Sequence, residues 1–156
     1  MDFFAQFIWK WTHPNQPPEK VDAGELAAVE ASLGLLPQSY KRAIVAHGLP
    51  YPAVALREAI DAGDLELPDI SEFLPPDEIV NTTEGWRQFG LPGHMVVFAS
   101  DCLGNLFCFE SGKPDEDAVW FFDHDFDELS RLAPSFRDWL AGYCGIASRP
   151  LSAARA

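Results

Sequence analysis

The chain has 156 residues, 47% hydrophobic and 13% aromatic, enough for one domain with a real core and short for two. Its 24 acids against 11 bases give a net charge of -13, which disfavours nucleic acid and anionic lipid as partners and suits a basic protein. No apolar run approaches the ~20 residues of a membrane span. Asp2 stands where a signal peptide carries positive charge, and three cysteines without a C-x-x-C pair fit a reducing cytoplasm.

The first element is a short helix with Phe3, Phe4, Phe7, Ile8 and Trp11 on one apolar face, followed by a proline-rich break over His13 to Lys20. Large exposed aromatic patches are rare on monomers, so docking onto the domain is the expectation for this helix. Asp22 reads as an N-cap with Glu25 three residues on, and Leu26, Val29 and Leu33 give the helix its buried face before Gly34 stops it. Pro37 opens another helix, in which Tyr40, Ile44 and His47 share a face and Gly48 closes the run. The segment from Leu49 to Gly93 is rich in proline and acids and is the hardest to read. "ALREAIDAGDL" reads as a short helix ending near Gly63, "DISEFL" as a short strand and "PDEIVNTTEGWRQF" as a helix with a proline start.

Three β-rich runs follow, "HMVVFAS", "LFCFES" and "AVWFFDH", divided by the turns "DCLGN" (Asp101 to Asn105) and "GKPDED" (Gly112 to Asp117). Asp101 is suited to bond its own turn backbone, and Gly104 and Asn105 tolerate positive φ. The runs are apolar at successive positions, so both faces of an antiparallel meander should be largely covered, with helices on one side. Trp120 and Phe122 read as core on one face and Phe121 on the other. The acids beyond them read as a strand end running toward a final helix that begins at Pro134 or Ser135 and carries Phe136, Leu140 and Tyr143 or Cys144 on its buried face. The expected organisation is a lead-in over 1-20, an α+β domain over 21-146 and a flexible tail over 147-156.

The stretch "VWFFDHDFDEL" invites a metal reading, because Asp123, Asp125 and Asp127 match the first three acidic positions of a calcium loop. The match fails at Glu128, where glycine is needed, and at Pro134, where a glutamate is needed. His124 has no ligand partner at metal spacing in the segments holding His13, His47 and His94. There is no nucleophile elbow, phosphate loop or dinucleotide turn. Cys102 and Cys108 flank a turn and read as fillers of small apolar space. Acid pairs such as Asp101 with Glu110, or Asp123 with Asp125, are ordinary on a chain this acidic. No catalytic, cofactor or metal residue is assigned.

Four motifs in order resemble the SUKH superfamily, which includes a yeast regulator of cell-wall synthesis and many bacterial immunity proteins. They are Leu36-Pro37 with Tyr40, Ile44 and Gly48; Phe98 to Asp101 followed by Gly104-Asn105 and Phe107 to Phe109; Val119 to His124; and Ser135-Phe136 with Trp139-Leu140. The resemblance spans roughly Val21 to Tyr143. It implies an α+β fold, an antiparallel sheet flanked by helices in one domain. It implies no enzymatic activity and no cofactor, but a protein partner, often a toxin neutralised by binding and frequently a nuclease.

A basic toxin domain would meet an acidic surface, for which the acids after the third run, Asp123, Asp125, Asp127 and Glu128, and the turn acids Asp115, Glu116 and Asp117 are the candidate contacts. These two groups are expected at opposite ends of one strand. A regulatory or scaffold module without a toxin is the alternative, and a metal-dependent hydrolase centred on His124 is a third.

Overall fold

Runs of consecutive apolar residues bounded by turns set the centre of the fold. In the computed structural model, which describes residues 1–148, they form β2 (Met95–Ser100), β3 (Leu106–Glu110) and β4 (Val119–Asp123). A two-residue β1 (Glu72–Phe73) and a β5 (Glu128–Ala133) complete a five-stranded antiparallel meander in the order β1-β2-β3-β4-β5. Helices α1 (Phe3–Trp11), α2 (Ala23–Leu33), α3 (Gln38–His47) and α4 (Val54–Ala62) precede the sheet. Helix α5 (Pro76–Arg87) follows β1, and α6 (Phe136–Cys144) follows β5.

β5 corrects the expectation that the acids run directly into the last helix. The chain instead reverses after Asp123, and Glu128 returns opposite it. In "ELSRLA" the leucines are three apart, which breaks the alternation that marks a half-buried strand. The segment becomes a strand because β4 offers it a free edge.

Strand alternation sends Phe121 and Phe122 to opposite faces. On one face Phe121 meets Phe107, whose ring lies 5.1 Å from Trp139 of α6. On the other Phe122 meets Trp86 at the end of α5. Helices therefore cover both faces, where the sequence led us to expect one. The α6 face is an aromatic core. Phe98, at an irregularity in the β2–β3 register, stacks on Phe109 at 4.0 Å, and Tyr40 of α3 packs on both rings. Past the short β1, Leu74 donates its N–H to the Phe98 carbonyl and Thr83 of α5 accepts the Val97 N–H at 3.0 Å, which closes the β2 edge.

The capping box of Asp22 and Glu25 forms as read, and Leu26, Val29 and Leu33 are buried. Gly48 has φ 86, and a Cβ there would stand 2.6 Å from the Glu19 carbonyl oxygen, so the turn after α3 requires glycine. Helix α1 docks, burying Phe4, Phe7 and Trp11. Lys10 reaches across to donate to the carbonyls of Cys144 and Ile146, satisfying groups at the C-terminal end of α6.

At its own start α1 is capped by Asp2, whose carboxylate accepts from Ala5 N at 3.0 Å and pairs with His47 Nε2 at 2.8 Å. The Ala5 bond holds this carboxyl below the usual value of 3.8, against slight desolvation and with help from His47. The charged cap is therefore fully effective above pH 3.8 and is lost as pH falls through the lowered folded-state value. We expect Asp2→Ala to cost about 1 kcal/mol at neutral pH. The gap from the parent should narrow in acid, as urea melts at both conditions would show.

Candidate functional site

The site is built from three loops that meet at His124. The first is the turn between β2 and β3. Asp101, buried, accepts from Leu103 N at 2.9 Å and Asn105 N at 2.8 Å through Oδ1, and from Asn105 Nδ2 at 3.1 Å through Oδ2. That orients the Asn105 amide, whose Oδ1 must then be the acceptor facing the second loop. It receives the His124 backbone N–H at 3.2 Å and His124 Nδ1 at 2.8 Å. A carbonyl oxygen cannot donate, so this geometry places the ring proton on Nδ1. His124 is a structural link between two turns, with Nε2 left 3.4 Å from the Asp125 carboxylate.

The second loop is the turn between β4 and β5. Asp123 Oδ1 accepts from Asp125 N at 3.0 Å, and Asp127 takes a left-handed φ of 50. Asp tolerates this conformation better than most residues, though it is a weaker turn signal than Asn-Gly. Asp123 thus shapes the turn, while Asp125, Asp127 and Glu128 are exposed.

The third loop, Gln88 to Gly90, ends α5. Trp86 lies 5.7 Å from the His124 ring and 6.4 Å from Phe89. The Asp127 carboxylate sits over Gly90, where φ is 102 and a Cβ would come within 3.1 Å of it. Between these loops runs an open groove lined by Gly85, Trp86, Gln88, Phe89, Gly90, His124 and Asp127. Phe89, which lines it, is 68% exposed, and the other two loops each carry an exposed large apolar side chain, Phe126 at 77% and Leu103 at 72%.

The other predicted acids lie elsewhere. Asp115, Glu116 and Asp117 occupy the β3–β4 loop, at the opposite end of β4. Asp117 accepts from Ser39 Oγ at 2.7 Å, Glu116 pairs with Lys113, and the loop is tied to α3 by the Gln38 N–H on the Pro114 carbonyl. Two of these acids thus serve local structure.

The sequence reading missed Trp86, Phe89, Phe126 and Leu103. The one available signal was "GWRQFG", two aromatics bracketed by glycines at a helix end.

The cysteines show no activated thiol. Burial pushes the Cys108 thiol up, and Cys102 and Cys144 are also raised, chiefly by desolvation. Cys102 is exposed on its turn, which corrects its reading as a filler; Cys108 is in the core. Among the described residues no group of three or more His, Cys, Asp or Glu is placed to hold a metal ion, and no helix is long and apolar enough to cross a membrane.

Together these features define an α+β domain, an antiparallel meander between helices. The model of the SMI1/KNR4 family (SUKH-1) matches residues 20–142, and the chain belongs to that family. No curated protein matches the chain at a significant level. Helix α1 lies outside the matched residues, yet its aromatic side chains are part of the same core.

Proposed function

We propose that this protein is a non-enzymatic binding module of the immunity type, acting in the cytoplasm. It neutralises a basic toxin domain, a nuclease being the class that its negative charge fits best, by covering it with the surface around His124. The observation that carries this reading is that the three loops meeting at His124 expose Phe89, Phe126 and Leu103 together with the carboxylates of Asp125, Asp127 and Glu128. Apolar anchors supply desolvated contact, and the acids steer a cationic partner and mimic the charge of its nucleic-acid substrate. Family membership supports a protein partner.

The test is to co-express the chain with the products of the genes adjacent to its own. A basic partner that co-purifies and loses its toxicity supports the reading. A partner that is no toxin moves it to a regulatory or scaffold module. With the toxin in hand, Asp125→Lys with Glu128→Lys is the informative variant, since Asp127 occupies a conformation that lysine resists. Association should slow by about tenfold or more at low salt, and the gap should close as salt screens the charges. Unchanged association at low salt would remove the acidic surface from the account.

A further inference from the structure

The groove itself is more specific than a general acidic surface. Trp86 and Phe89 present rings at 75° to each other, and Trp86 also meets the His124 ring at 61°. A carboxylate, Asp127, hangs over the glycine end. It has no hydrogen-bond or ion-pair partner among the described residues. The nearby cation of α5, Arg87, is turned away, donating to the Met95 carbonyl at 3.2 Å. Gly85 leaves the opposite wall open, since a Cβ built there meets nothing within 4 Å.

We infer that this groove receives one arginine side chain of the partner. The guanidinium lies flat against one ring of the Trp86–Phe89 pair, with the other ring at its edge, and pairs with the Asp127 carboxylate. Planar stacking with simultaneous charge pairing is what guanidinium does well and ammonium does poorly. A lone carboxylate would not select arginine. Its juxtaposition with two aromatic rings, in a wall left open at Gly85, does. The inference rests on the binding-module reading and names the partner chemistry at its centre.

The test needs no partner. The full chain, labelled with nitrogen-15, is titrated with N-acetyl-arginine amide, with the lysine analogue, and with the citrulline analogue, which keeps the shape and loses the charge. Saturable shifts of the Trp86 indole N–H and the Gly90 and Asp127 amides are expected with arginine, at about millimolar affinity, with lysine weaker and citrulline silent.

Two variants block the groove while preserving the fold. Gly85→Leu fills it from within α5, where leucine is a better helix former than glycine. Asp127→Asn removes the charge but keeps a residue that tolerates the turn. Each should weaken the arginine response by about tenfold or more. Shifts that do not saturate, that are equal for arginine and lysine, or that survive Gly85→Leu would overturn the inference. If arginine fails here while Asp125→Lys with Glu128→Lys still slows toxin association, the groove alone is wrong. If arginine binds and that double variant has no effect on the toxin, the acidic-surface reading is the one that fails.

Discussion

Trp11→Ala should remove a large part of the stability of this domain. Trp11 is fully buried, and its indole Nε1 donates to the Tyr143 carbonyl at 3.0 Å. Its neighbour on the same face, Phe7, packs edge-on to Phe73 of β1 and Tyr143 of α6. Truncating a buried tryptophan costs about 3–5 kcal/mol, the lost transfer energy plus the cavity left behind. Here the Tyr143 carbonyl also loses the indole donor, keeping the Ile146 N–H at 3.2 Å. Against a total stability of about 5–15 kcal/mol, that is a large fraction. Urea unfolding should show a midpoint far below the parent's. An unchanged midpoint would mean that α1 is a detachable arm and that the core is complete without it. The result bears on the family comparison, because the matched residues begin after α1. In this chain α1 is part of the core although it lies outside the matched residues.

Asp101→Ala comes next in size and reaches the site directly. It leaves the N–H groups of Leu103 and Asn105 and the Asn105 amide without their shared acceptor, in a turn whose two ends, Asp101 and Asn105, are buried. Unsatisfied buried donors cost about 1–3 kcal/mol each, and partial relaxation toward water makes about 3 kcal/mol a reasonable total. Asp101→Asn keeps one acceptor oxygen for the two backbone groups and sets an amide N–H against that of Asn105, so its loss should be smaller, about 1 kcal/mol. Asp101→Ala also frees the Asn105 amide to turn, and with it the bond that fixes His124. Asp101→Ala should therefore also weaken partner binding through the positions of Trp86 and the β4–β5 turn. Chemical shifts of His124 that remain at their parent values in the variant would show that the two turns are independent.

The parts of the fold legible in sequence are those where local chemistry and tertiary structure agree. The capping box at Asp22, the glycine stops at Gly34 and Gly48, and the three apolar runs each announce their element because the same residues nucleate it and bury it. β5 was illegible because "ELSRLA" has neither alternation nor β-branched residues, and its left-handed turn residue is Asp127 rather than glycine. Its structure comes from β4.

The candidate site divides in the same way. The acids of the β4–β5 turn were visible as a cluster, and the broken calcium pattern already argued against a metal loop. Their meaning depends on Trp86 and Phe89, which arrive from a segment whose sequence showed only a helix with a proline start. Nor did composition separate the two acidic loops. Asp117 is engaged by Ser39, whereas Asp127 stands over an open groove, a distinction that exists only in three dimensions.

Under the proposed function, partners dock at the end of the sheet carrying His124 and not at the end carrying Asp115 to Asp117. Amide hydrogen exchange of the full chain, free and bound to the adjacent-gene product that co-purifies with it, tests this most directly. The account predicts slowed exchange on binding over residues 86–90, 101–105 and 123–128, with 112–117 unchanged. Protection centred on 112–117, with the three loops around His124 exchanging as in the free protein, would contradict it.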